Sequence, residues 1–119
     1  MGSGKLAKSG GARLAVYGSL APGKPNEHIL AAIGGTWRTG VVRGRLVSEG
    51  WGADLGFPAL VLDPQGAPVE VQLLEADELV SHWDRLDAFE GDGYSRVVTD
   101  VAVGQETIPA FIYVLASNT

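Results

Sequence analysis

The sequence predicts an α+β domain: a mixed β-sheet of about six strands, strongly curved or closed into a barrel, with two or so helices packed outside. Three observations point there. About six short runs are continuously apolar or alternate apolar with polar residues, which is the pattern of strands. The helical segments do not alternate regularly with those runs, which argues against a doubly wound α/β sheet. Glycine supplies 17 of 119 residues, about twice the usual share of roughly 7%. Glycine costs backbone entropy, so this many fit best in tight turns between short elements.

Residues 1–12 (MGSGKLAKSGGA) are rich in Gly, Ser and Lys and read as a flexible tail before a single domain over 13–119. The GSGK within it is not a P-loop, because no strand precedes it and its glycine spacing before Lys5 is wrong. Leu14-Ala15-Val16-Tyr17 is a short apolar run ended by Gly18-Ser19, a buried strand running into a loop. Pro22, Gly23 and Pro25 hold the chain in turns. A short helix follows, capped by Asn26, with Glu27 in its first turn, Ile29, Leu30 and Ile33 on its apolar side, and Gly34-Gly35 ending it. Strands are expected at 41–47 and 59–62, the second closed by the turn Asp63-Pro64-Gln65-Gly66. Between them a Gly-rich loop carries Trp51 and Phe57, aromatics that plug the end of a sheet or form a lid. In 68–74, Val69, Val71 and Leu73 alternate with Glu70 and Gln72, as in a half-buried strand. The strongest helix is expected at 77–90, with Asp77 as cap, Glu78 at its positive end and Gly91 as terminator. Strands at 96–103 and 108–115 complete the set.

Composition narrows the function. A net charge of -5 and a pI near 4.8 speak against nucleic acid and anionic membrane as partners, since both need clustered Lys and Arg. The absence of cysteine removes disulfides, thiolate nucleophiles and Cys-ligated zinc. No apolar run is long enough for a spanning helix, and the N-terminal stretch lacks the apolar centre of a secretory signal, so the expectation is a cytoplasmic protein. His28 and His82 have no companion at metal-ligand spacing and read as surface or boundary residues. No metal or cofactor is expected.

One carboxylate is out of place. On a helical plot with Leu79 at zero, Trp83 falls near +40°, Leu86 near -20° and Glu90 near +20°, on an estimate of about 100° per residue. Glu90 therefore extends the apolar stripe, while Asp84 and Arg85 point away and Asp87 lies at the margin. A helix-end acid can simply swing into solvent. One facing the interior loses water, which favours its neutral form, and the negative end of the helix dipole pushes the same way.

Tyr17-Gly18-Ser19-Leu20, followed by Ala21-Pro22-Gly23, and the later run Leu86-Asp87-Ala88-Phe89-Glu90-Gly91 with Tyr94-Ser95-Arg96 resemble the gamma-glutamylcyclotransferase-like family. Phe57-Pro58-Ala59-Leu60 extends the likeness, which covers nearly everything from Leu14 to Leu115. One departure is Val69-Glu70, where many members carry Gly-Glu. The resemblance implies a closed or curved sheet and a reaction that needs no metal and no nucleophilic side chain. The α-amine of a small γ-glutamyl substrate attacks its own γ-carbonyl, closing 5-oxoproline and expelling an amine or amino acid. It implies Glu90 as the general acid/base that takes a proton from the α-amine and returns one to the leaving amine.

The turn at Tyr17, Gly18, Ser19 and Leu20 would hold the substrate, the alternative being that Gly18-Ser19 is simply a turn. Unpaired backbone N–H groups at a strand end can converge on an anion, here the α-carboxylate or the developing oxyanion. Tyr94 closes the pocket or bonds its hydroxyl to backbone, and Tyr113 lies on the opposite strand face from Ile112 and Val114, where it can line the cavity. Arg96 reads as an ion-pair partner and Asp87 as a capping or turn-stabilising residue. Two rivals stand beside the enzyme: a non-catalytic metabolite binder of the same fold, and an interaction module that docks a protein through the Trp51 loop. The expected assembly is a monomer or small homo-oligomer.

Overall fold

Three apolar residues in a row, Leu14-Ala15-Val16, make a strand that must be covered on both faces. That double cover organises the molecule. The computed structural model describes residues 12–17, 23, 27–47 and 59–115. Within them the elements run β1 (Arg13–Val16), α1 (Glu27–Ala31), β2 (Thr36–Val47), β3 (Ala59–Leu62), β4 (Ala67–Glu75), a 3-10 helix (Asp77–Ser81), α2 (Trp83–Glu90), β5 (Tyr94–Val103) and β6 (Glu106–Leu115). The tail to residue 11, Gly18-Ser19-Leu20, Pro22, Pro25, the cap Asn26 and the loop at 48–58 with Trp51 and Phe57 lie outside the described residues.

The sheet has the order β3-β2-β4-β1-β6-β5, and a further pairing of β2 with β5 closes it. Five strands therefore form a barrel, with β3 as an additional strand. β1 runs parallel to β6, while the other pairs are antiparallel. The edge of β2 that β4 leaves open is shared: Val41 bridges to Ala102 of β5, and Gly44–Val47 pair with β3. The mixed, closed sheet matches the expected class.

Two apolar clusters follow from the strand alternation. Ala15, Val42, Leu60, Val71, Leu73, Val101, Ile108, Ala110 and Ile112, drawn from every strand, fill the interior. Leu14, Val16, Leu74 and Tyr113 point the other way, against Leu30 within and Ile33 just after the first helical segment and Leu79 and Leu86 of the second. Leu73 and Leu74 are both buried because one faces the lumen and the other the helices.

The second helical segment departs from expectation. It is not one helix over 77–90: the 3-10 helix ends at His82, whose φ of -116° and ψ of 0° break the run before α2 begins. Ser81 supplies the local reason, since its hydroxyl donates to the Glu78 carbonyl (3.0 Å) and competes with the helical ladder. Asp77 is the first helical residue and not the cap; Ala76 holds the cap position, with no side-chain cap bond. Leu79 and Leu86 nevertheless remain fully buried in one cluster. Gly91 ends α2 as expected, with φ +82° and its N–H donating to the Asp87 carbonyl at 3.0 Å. β2 starts five residues before the expected 41, because the largely exposed run from Thr36 is held by pairing with β4 rather than by apolar burial.

Candidate active site

Tyr17 follows β1 directly, and its ring reaches across the end of the barrel. Its hydroxyl donates to the Tyr113 carbonyl (2.7 Å) and accepts from the Leu60 amide (3.0 Å), tying the ends of β1, β3 and β6 together. Burial pushes its pKa well above the usual tyrosine value; the Leu60 amide opposes this, and the charges of Glu90 and Tyr94 add to it.

Glu90 is the last residue of α2 and half-buried. Within α2 it lies one turn beyond the fully buried Leu86, which places both on one side of the helix. The break at His82 removes the azimuths reckoned from Leu79, but the Leu86–Glu90 spacing stands on its own. Loss of water around the carboxyl raises its pKa from the ordinary 4.5 to about 7. Its negative charge also reaches Tyr17 and Tyr113, adding to the rise in both. The chain's three tyrosines and this acid share one neighbourhood at the end of the barrel.

Tyr113 points away from Ile112, as strand alternation requires, and is 5% exposed. Its hydroxyl donates to Asp87 Oδ1 at 2.6 Å. Asp87 also accepts from Arg96, Nε to Oδ1 at 2.8 Å and Nη2 to Oδ2 at 3.2 Å. These bonds, Arg96 first, hold the Asp87 carboxyl below the usual carboxylate range. The Arg96 guanidinium lies 4.6 Å from the Trp83 ring centroid and 4.5 Å from that of Phe111, a cation–π contact on each ring. Trp83 meets Phe111 edge-on at 5.0 Å. A cleft of about 480 Å³ opens beside this group, lined among others by Asp87, Gly91, Tyr94, Arg96 and Tyr113; Glu90 is not part of its wall.

Of the expected site residues, the structure brings Tyr17, Glu90, Tyr94 and Tyr113 together, while Gly18, Ser19 and Leu20 lie outside the described residues. Arg96 is the expected ion-pair partner. Asp87 differs from its expected role: its carboxylate joins α2 to β5 and β6 instead of stabilising its own turn. That tie depends on the register of the β5–β6 hairpin. Gly104 and Gln105 make a two-residue turn between the paired Val103 and Glu106, and counting back from it sets Arg96 opposite Tyr113. Among the described residues no group of three His, Asp or Glu side chains could hold a metal ion, and no helix is long and apolar enough to cross a membrane.

The family model described as gamma-glutamyl cyclotransferase, AIG2-like, matches residues 14–119. The chain belongs to that family. Among solved structures, an AIG2-like protein from Mus musculus is similar at 26% identity with a TM-score of 0.71, over 91% of this chain and 79% of the mouse chain. The YkqA protein of Bacillus subtilis is similar at 28% identity and a TM-score of 0.67, over 87% of this chain but only 35% of its own length. A Pyrococcus horikoshii protein at 24% identity and TM-score 0.63 shares the fold. No curated protein matches the chain. This AIG2-like chain thus carries the expected barrel, with an acid of raised pKa at the C-terminus of α2.

Proposed function

We propose that the chain is a gamma-glutamyl cyclotransferase that converts a small γ-glutamyl compound to 5-oxoproline and a free amine or amino acid, with Glu90 as general acid/base. The observation that carries this reading is the Glu90 carboxyl, half-buried beside Tyr17, with a pKa of about 7. Family membership supports the same chemistry.

The reaction needs one carboxyl that works in both protonation states. The substrate α-ammonium gives a proton to the Glu90 carboxylate, and the freed amine attacks the γ-carbonyl carbon. A C–N bond closes the five-membered lactam. The bond to the leaving amine then breaks as Glu90 returns that proton to its nitrogen, and the second proton that the attacking nitrogen sheds follows through the same carboxyl, so the leaving group departs as an ammonium. A group titrating near neutrality populates both forms at working pH, which is where general acid/base catalysis is most effective. The nucleophile is part of the substrate, so folding the substrate into its reactive conformer supplies much of the rate.

The test is Glu90→Gln, in which the amide keeps the shape but cannot carry the proton. With γ-glutamyl amines, amino acids and peptides as substrates, mass spectrometry should find 5-oxoproline from the native chain and a loss of at least about 100-fold in the variant, with an unchanged circular dichroism spectrum. Full activity in the variant removes Glu90 from the role.

A further inference from the structure

Asp87 stands three residues before Glu90, so the two share the final turn of α2 and adjacent faces. α2 has eight residues, and its C-terminus passes at once into Gly91, whose φ is +82°. The apolar side is seated by Leu86, while the polar side is held by Asp87, which grips Arg96 through two bonds and Tyr113 through a third. Both partners are themselves fixed. Arg96 contacts the Trp83 and Phe111 rings, and Tyr113 is almost fully buried, with its carbonyl accepting from Tyr17. The guanidinium therefore cannot follow the helix if its end swings outward.

We propose that Asp87 is a positioning residue for Glu90: clamped by Arg96 and Tyr113, it locks the last turn of α2 and so sets how deeply the Glu90 carboxyl sits at the barrel end. The inference rests on the reading of Glu90 as the proton-transferring acid. Asp87 touches no reacting atom and acts through its neighbour. Among the described residues, Tyr17 at the end of β1 and Tyr113 on β6 feel the Glu90 charge, Tyr94 of β5 lies near Tyr17, and the Asp87–Arg96 pair sits on the neighbouring face of the turn. Release of the turn lets water reach the Glu90 carboxyl, which removes the cause of its raised proton affinity.

Charge and position predict opposite results in one variant, and that decides the matter. Asp87→Asn removes a negative charge and Arg96→Met removes a positive one. If these residues act on Glu90 only through their charge, its titration midpoint falls in the first and rises in the second. If they act by position, it falls in both. The midpoint is read on the full chain by carbon-13 NMR of the glutamate side-chain carboxyls, with Glu90→Gln assigning the resonance. The expected result is a fall of about one pH unit, tenfold in proton affinity, in Arg96→Met as in Asp87→Asn. The acid limb of the kcat–pH profile moves with it while KM changes little. A rise or no change in Arg96→Met overturns the proposal. Should that variant fail to fold, Tyr113→Phe, which leaves both charges in place, decides in the same way: a fall supports positioning and a constant midpoint overturns it. Because the NMR midpoint needs no turnover, a chain that makes no 5-oxoproline would defeat the functional reading while this test still returned its own answer.

Discussion

A half-buried glutamate that titrates near neutrality weakens the fold that holds it. The folded Glu90 binds its proton with a pKa of about 7, against an ordinary value of 4.5. Between those values the native state holds more protons at this site than the unfolded chain, so stability falls as pH rises from about 4.5 to about 7 and stays lowered above. Glu90→Gln removes the penalty at its source. Its gain over the native chain should be near zero at pH 4.5 and reach about 2 kcal/mol at pH 8, allowing for the part of the carboxyl that still meets water. Urea unfolding of both proteins at the two pH values measures this. Equal gains at both would mean the amide stabilises by packing and the acid is not strained. Asp87 behaves in the opposite sense: its pKa is lowered by Arg96, so its contribution is present above its unfolded pKa and is lost as pH falls through the folded value.

At the scale of elements, the stop at Gly91 delivers Glu90 to its place. With φ +82° and ψ -177°, Gly91 occupies a region that is essentially closed to residues with a Cβ. A Cβ there would meet nothing within 4 Å, so Gly91→Ala should cost about 1–3 kcal/mol through conformation alone. Gly93 also has open space and lacks a left-handed φ, so Gly93→Ala should stay within about 0.5 kcal/mol. Chemical denaturation of the pair separates strain from crowding, and an equal loss in both would refute the distinction. Gly91 was legible in the sequence because a glycine after the last periodic residue has few other uses. The same holds for β1, whose unbroken apolar run announces cover on two faces. The break at His82 was not legible: Leu79, Trp83 and Leu86 keep a helical period across it, and the Ser81 hydroxyl bond that competes with the ladder depends on local geometry. Nor was the role of Asp87, which needs the register that sets Arg96 against Tyr113 before its carboxylate has anything to bind. The acid itself was readable because four residues from Leu86 is a local spacing.

At the scale of the whole molecule, the barrel exists only because β2 and β5 meet, and they meet through one bridged pair, Val41 with Ala102. Gly40 sits beside that seam and is buried. An ideal Cβ at position 40 would stand 2.5 Å from Val101 Cγ1, 3.0 Å from the Ala102 carbonyl oxygen and 3.1 Å from Val103 Cγ2. Val101 is fully buried among lumen residues and has no free volume to turn into, and the carbonyl belongs to the bridging residue itself. Gly40→Ala therefore has to force the seam apart, at a cost of about 2–3 kcal/mol. Shortening the opposing side chain should relieve part of the clash. Val101→Ala leaves a cavity and destabilises by itself, yet the double variant should be more stable than the sum of the two single losses by about 1 kcal/mol. A double-mutant cycle on urea unfolding free energies measures that coupling. Strict additivity would show that β2 and β5 are not in contact at position 40 in solution. Opening the seam also loosens the strands that carry Tyr94, Arg96 and Tyr113, so 5-oxoproline formation by Gly40→Ala should fall even where the variant remains folded, and recover in part in the double variant.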